Sequence, residues 1–115
     1  MELETPAGVI AVTMSQVARL GPQADPKRPL WSNNPFHEIA ALAFGKNALL
    51  VAGVDRDKSG AITASGLKAV ELSSGRTLWQ EPLPAAPVAW GIALDRTGRI
   101  VVSLFDGRVV AFERN

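Results

Sequence analysis

The sequence predicts an all-β protein built from antiparallel, four-stranded units, and three observations predict it. Short runs rich in β-branched residues alternate with Gly, Pro, Asn and Asp turns, and no long amphipathic helix is patterned in the second half. Asp106-Gly107 lies between two β-branched runs, the strongest short-range signal for a hairpin. The chain also repeats itself at offsets of 42 to 51 residues.

The elements follow in order. Residues 8–14 are rich in β-branched side chains and read as one strand; residues 15–20 read as its continuation or as a helical turn. Residues 21–29 hold Pro22, Pro26 and Pro29 and read as a loop, because proline has no ladder donor. Leu30-Trp31-Ser32 is a short apolar segment before an Asn33-Asn34-Pro35 turn. Residues 39–44 are strand-like, although their three alanines leave a helical reading open. After the Gly45-Lys46-Asn47 turn, residues 48–54 read as a buried strand and residues 55–65 as a polar loop. Residues 67–72 and 77–83 form a hairpin across Ser73-Ser74-Gly75-Arg76, with Gly75 supplying the positive φ such loops need. Pro82, Pro84 and Pro87 mark a crossing between units. Strands at 88–95, 100–105 and 109–112 close the chain, joined by turns at Arg96-Thr97-Gly98 and Asp106-Gly107.

The repeat orders these elements. Arg28-Pro29-Leu30-Trp31 aligns with Arg76-Thr77-Leu78-Trp79 at an offset of 48. Leu42-Ala43-Phe44 aligns with Ile92-Ala93-Leu94 at 50, and Leu49-Leu50-Val51 with Ile100-Val101-Val102 at 51. Leu67-Lys68-Ala69-Val70-Glu71 aligns with Val109-Val110-Ala111-Phe112-Glu113 at 42, an offset shortened if 55–65 is an insertion that Asp106-Gly107 replaces. A single β domain over 1–115 is therefore expected, with 28–36 the outer strand of a preceding unit, 37–83 a complete unit and 84–115 three strands of a terminal one. Four antiparallel strands at this period make a β-propeller blade, whose two apolar faces are buried only by stacking on neighbours. A tryptophan opening the outer strand fills the wedge between such sheets, and its indole N–H can reach a carbonyl.

The stretch Ala69-x-Glu71-x-x-x-Gly75-Arg76-x-x-Trp79 resembles the tryptophan-docking repeat of quinoprotein-like (PQQ-like) β-propellers, with conservative exchanges at Glu71 and Arg76. The last unit, with Asp106-Gly107-Arg108-Val109-Val110-Ala111-Phe112, is similar to the terminal blade of such proteins. The resemblance covers about residues 28–115. It implies a partial propeller of about two blades in which Trp31, Ala69, Glu71, Gly75, Arg76, Trp79, Trp90 and Gly107 are structural. Some members of the family are dehydrogenases that bind pyrroloquinoline quinone and calcium within a complete ring; many others keep the repeat without the cofactor and act as binding or assembly scaffolds. The enzymes' cysteine pair has no counterpart in a chain without cysteine, and no motif places their catalytic aspartate or calcium-binding carboxylate. The expectation is a non-enzymatic scaffold fragment. The alternative is the C-terminal part of a quinone-dependent dehydrogenase whose catalytic residues lie on other blades, with the quinone bound only in a complete propeller. The partners implied are further blades of a longer chain, or copies of itself. The resemblance implies a periplasmic or extracellular setting, with any signal peptide outside this chain, whose start is acidic at Glu2 and Glu4.

Composition narrows the partners further. A net charge of +1 without clustered Lys and Arg gives no footprint for nucleic acid. No apolar run reaches the roughly 18 residues of a membrane span, so no membrane insertion is expected.

Few residues carry chemistry. Asp55, Asp57, Ser59, Gly60 and Ile62 occupy positions 1, 3, 5, 6 and 8 of a calcium loop, but position 12 is Gly66 where a bidentate Glu belongs. Two readings follow: a calcium loop between strands, or a solvated hairpin tip whose Asp and Gly serve turn chemistry. His37 is the only histidine and by itself anchors no zinc site. Ser73, Ser74 and Ser103 lack a nucleophile-elbow context. Trp90 falls on an inner-strand position, either facing a central channel to stack on a ligand or packing between blades.

Overall fold

The computed structural model describes residues 2–5, 8–23, 25, 27–94 and 98–112. These residues form eleven strands and no helix: β1 (Glu2–Thr5), β2 (Gly8–Val12), β3 (Val17–Leu20), β4 (Pro29–Asn33), β5 (Glu38–Phe44), β6 (Ala48–Arg56), β7 (Ile62–Glu71), β8 (Thr77–Pro82), β9 (Pro87–Leu94), β10 (Ile100–Leu104) and β11 (Val109–Phe112). They make three antiparallel sheets, each a simple meander. Sheet I is β1-β2-β3-β4, sheet II is β5-β6-β7-β8 and sheet III is β9-β10-β11.

Away from the bulges in β5 and β9, the strand registers of sheets II and III coincide residue for residue. Leu49↔Val70, Leu50↔Ala69, Val51↔Lys68 and Ala52↔Leu67 in sheet II become Ile100↔Phe112, Val101↔Ala111, Val102↔Val110 and Ser103↔Val109 in sheet III. Leu42↔Val51, Ala43↔Leu50 and Phe44↔Leu49 likewise become Ile92↔Val102, Ala93↔Val101 and Leu94↔Ile100. The sequence offsets of 50, 51 and 42 are thus the offsets of a repeated ladder. Slippage by one residue would turn every apolar side chain to the opposite face, so two sheets sharing one register share one pattern of faces.

The sheets stack with sheet II in the middle. Ile10, Val12 and Val17 of sheet I pack with Leu49, Val51 and Val70 of sheet II, while Leu50, Ala52, Leu67 and Ala69 on its other face pack with Ile92, Ile100 and Val102 of sheet III. Strand β6 is therefore buried on both faces, in an unbroken run over 49–54. Strand β10, covered on one face, alternates between buried and half-buried. Close approach requires glycine at Gly53, where a methyl group would stand 2.5 Å from the Glu38 carbonyl oxygen and 2.7 Å from the Phe36 ring.

Several expectations are corrected. Sheet I has four strands where the sequence outlined one strand near 8–14 and an outer strand at 28–36. Strand β2 ends at Val12, because the Thr13 hydroxyl accepts from Gln16 N–H at 3.1 Å and the Thr13 N–H bonds the Gln16 carbonyl, turning the chain back into β3. The loop expected over 55–65 shrinks to 57–61: β6 runs to Arg56 and β7 begins at Ile62, as one long hairpin. Residues 39–44 lie within β5, which removes the helical reading. Pro26, Asp95 and the turn residues Arg96 and Thr97 lie outside the described residues, as does Glu113 of the repeat.

Candidate functional site

Strands β5 and β9, the first of sheets II and III, lie side by side, and both bulge at the same level. In β5, Ile39 pairs with Gly53 and Ala41 with Ala52, so Ala40 is extra. In β9, Pro87 pairs with Leu104 and Ile92 with Val102, so five steps on one strand oppose two on the other and three residues are extra. Bulges of this kind re-aim side chains. Here the result is Trp90 at φ 59°, the one non-glycine residue with positive φ among those described. That conformation costs an L-residue on the order of 1–2 kcal/mol. It leaves the indole 63% exposed.

Trp90 stands at the mouth of an apolar groove of about 640 Å³, lined also by Met14 from the β2–β3 turn, Ile39 and Leu42 of β5, Ile62 at the start of β7, and Phe105. The volume falls in the range of small-molecule and side-chain sites, roughly 300–1,000 Å³. Met14, Ile62, Trp90 and Phe105 are four of the eight large hydrophobic side chains left exposed on the described surface, so that surface is concentrated here and not scattered. The backbone closes one side: Ile39 N–H bonds the Met14 carbonyl, and Phe105 N–H bonds the Ala86 carbonyl at 2.9 Å.

One lip of the groove is polar and fixed. Arg56 Nε donates to Glu38 Oε2 at 2.9 Å and Nη1 to the Gly60 carbonyl at 2.8 Å. His37 steadies the same corner. Its backbone N–H donates to Asp55 Oδ1 at 2.9 Å, and its Nδ1 accepts from Arg56 N–H at 3.1 Å. Arranged in this way, the groove offers aromatic and aliphatic surface beside one oriented ion pair, which suits binding of an apolar group.

The proposed calcium loop is put to another use. Asp57 Oδ1 accepts from Ser59 N–H at 2.9 Å, Ser59 Oγ at 2.6 Å and Ala61 N–H at 3.1 Å. These bonds hold the Asp57 carboxyl below its usual range, the Ser59 hydroxyl contributing most. Asp55 lies on β6, paired with Ala64, and caps His37. No group of three or more His, Asp or Glu side chains able to hold a metal ion occurs among the described residues. As it stands, the Asp57 carboxylate serves the turn, in keeping with the hairpin-tip reading.

The docking residues divide between two interfaces. Trp31, on β4, donates its Nε1–H to the Leu72 carbonyl of sheet II at 2.9 Å, and its ring lies on Gly75. Asn33 Nδ2 adds a bond to the Gly75 carbonyl at 2.8 Å. Gly75, at φ 77°, closes the β7–β8 turn through Gly75 N–H to the Glu71 carbonyl, 2.8 Å. The Ser74 hydroxyl donates to the Glu71 carboxylate and, with Arg76 nearby, holds its pKa below the usual range. Ala69 is fully buried between Leu50 and Trp79, and Trp79 packs on the core shared by sheets II and III. Gly107, at φ 90°, closes the β10–β11 turn with Asp106, whose carboxyl the Arg108 side chain and N–H hold low. Met14, Glu38, Arg56 and Phe105 were not singled out by sequence, and Ile62 only as a position of the calcium loop. Phe105 alone carried a signal, as a large apolar residue set directly against a turn.

No protein-family model matches the chain, and no curated protein matches it.

Proposed function

We propose that the three sheets are successive blades of a quinoprotein-like β-propeller, and that the chain is a non-enzymatic binding and assembly scaffold whose contact surface is the groove around Trp90. The shared register, the stacking of sheet on sheet and the Trp31–Gly75 contact support the blade reading. The observation that carries the binding reading is Trp90: a strained backbone holds a large aromatic in solvent at the mouth of an apolar groove. Strain kept at an exposed position is a reason to look for a role there.

The test is a fluorescence titration with the dye anilinonaphthalene sulfonate. Replacing Trp90 or Phe105 by Ala is expected to weaken dye binding about tenfold, the equivalent of roughly 1.4 kcal/mol of lost aromatic contact. Dye affinity equal in wild type and both variants would reject the groove as the contact surface.

A further inference from the structure

We propose that the outward face of sheet III docks the outward face of sheet I in a second copy of this chain, head to tail. The inference rests on how the sheets pack and not on the groove, so the two can fail separately.

Side chains alternate between the two faces of each strand. Ile92, Ile100 and Val102 face sheet II, so Ala93, Val101 and Ser103 face away from it; Val110 and Phe112 pack on the core, so Val109 and Ala111 face away. The shared register equates Val101, Ser103, Val109 and Ala111 with Leu50, Ala52, Leu67 and Ala69 of sheet II. Those four sheet II residues form the face that receives sheet III. The same surface is thus covered once in the chain and left open once: Leu67 is 0% exposed and its equivalent Val109 is 62% exposed.

What covers this surface within the chain is always the back face of the sheet that follows. Sheet I gives Ile10, Val12 and Val17 to the back of sheet II, and sheet II gives its forward face to the back of sheet III. A forward face never meets a forward face. Among the described residues one back face has no sheet on it, that of sheet I, although Ala18 and Leu20 of its β3 are already buried. Leu3, Ile10, Val12 and Val17 point to sheet II, so Glu2, Glu4, Val9, Ala11 and Ala18 lie on the other side. The chain therefore carries both halves of one joint. Glu2 and Glu4 sit on the first strand, β1, which the stacking sets toward β9, and the described part of β9 holds no acid. The small side chains of the forward face allow close approach of the two sheets. A joint between two different surfaces is heterologous and closes a ring or extends a filament.

Sedimentation velocity on the 115-residue chain over a range of concentrations tests the proposal. Wild type is expected to assemble as concentration rises. Val109→Glu on the forward face and Val9→Lys on the back face are each expected to give monomers. An equimolar mixture of the two variants is expected to give a dimer and nothing larger, because each supplies the half that the other lacks. Far-UV circular dichroism checks folding, and Ala111→Glu replaces Val109→Glu if that variant loses its β signal. Three results would overturn the proposal: wild type monomeric throughout; Val9→Lys assembling like wild type, which makes the joint sheet III on sheet III; or a variant mixture that stays monomeric.

Discussion

The ring of Trp31 lies on the α-carbon of Gly75: a methyl group there would come within 2.5 Å of Trp31 Cδ2. The indole N–H of Trp31 meanwhile donates to the Leu72 carbonyl at 2.9 Å. One side chain of sheet I thus reads both the shape and the hydrogen bonding of the turn that ends β7. The Gly75-to-Trp79 spacing of the motif does not join those two residues to each other. Gly75 receives the tryptophan of the sheet before it, and Trp79 packs on the core toward the sheet after it.

Gly75→Ala therefore meets two penalties, a side chain at φ 77° and a clash with a ring held in place by its own hydrogen bond. The expected loss is about 2–4 kcal/mol of unfolding free energy. Trp31→Phe keeps part of the ring surface and loses one hydrogen bond, for about 1–2 kcal/mol. Urea denaturation measures both, and a Gly75→Ala loss no larger than that of Trp31→Phe would contradict this view of the contact.

Gly53 and Gly60 separate packing from backbone strain. A methyl at Gly53 stands 2.5 Å from the Glu38 carbonyl oxygen, part of a ladder that cannot shift freely, whereas a methyl at Gly60 meets nothing within 4 Å. Gly53→Ala is expected to cost about 2–4 kcal/mol by overpacking, and Gly60→Ala about 1 kcal/mol from its φ of 89° alone. Equal losses in the two variants, read by thermal unfolding, would show that the β5–β6 spacing is looser than described.

Acid should loosen the turns first. Asp57 and Asp106, ordinarily at 3.8, and Glu71, ordinarily at 4.5, are all held lower in the fold by hydrogen bonds to their ionised forms. A depressed carboxyl stabilises the fold above its unfolded value and loses that contribution as pH falls through its folded value. The melting temperature is expected to fall as pH drops below about 4.5, less steeply in Asp57→Asn, which keeps the turn but cannot titrate. Asp57 and Asp106 are exposed and Glu71 is half-buried, so the effect is small and shrinks further with salt. An identical acid slope in Asp57→Asn would remove that carboxyl from the account.

Calcium is expected to produce no binding heat at concentrations up to about 1 mM, the weak end of the range for extracellular calcium modules. Asp57 Oδ1 already accepts from Ser59 and Ala61, and Asp55 Oδ1 accepts from the His37 N–H. A saturable heat that Asp57→Asn abolishes would instead make the loop a calcium site.

How much was legible in the sequence depended on how local the cause was. Strands β10 and β11 were readable because Asp106-Gly107 fixes a two-strand hairpin within a few residues. Strand β1 was not: Glu2-Leu3-Glu4-Thr5 is short and mostly polar, and its pairing with β2 comes from the ladder and not from β propensity. The far end of the β6–β7 hairpin was missed for a related reason. Ile62, Thr63 and Ala64 are exposed and polar or small in company, so they carry no burial pattern although they extend β7. The place of Trp90 on the first strand of sheet III followed from the repeat. Its aim did not, because three extra residues against β10 are a property of two strands together. The partner of Gly75 was hidden in the same way, lying in another sheet.

Nuclear magnetic resonance of the labelled chain, titrated with anilinonaphthalene sulfonate, tests the proposal that Trp90 belongs to a contact surface. The three tryptophans give three indole N–H signals, of which Trp31 is engaged with Leu72 and Trp90 stands at the groove. The account predicts saturable shifts of the Trp90 indole and of the Ala40, Ala89 and Phe105 amides, with the Trp31 indole unmoved. Shifts absent from Trp90, or centred on the forward face of sheet III around Val109, would contradict it.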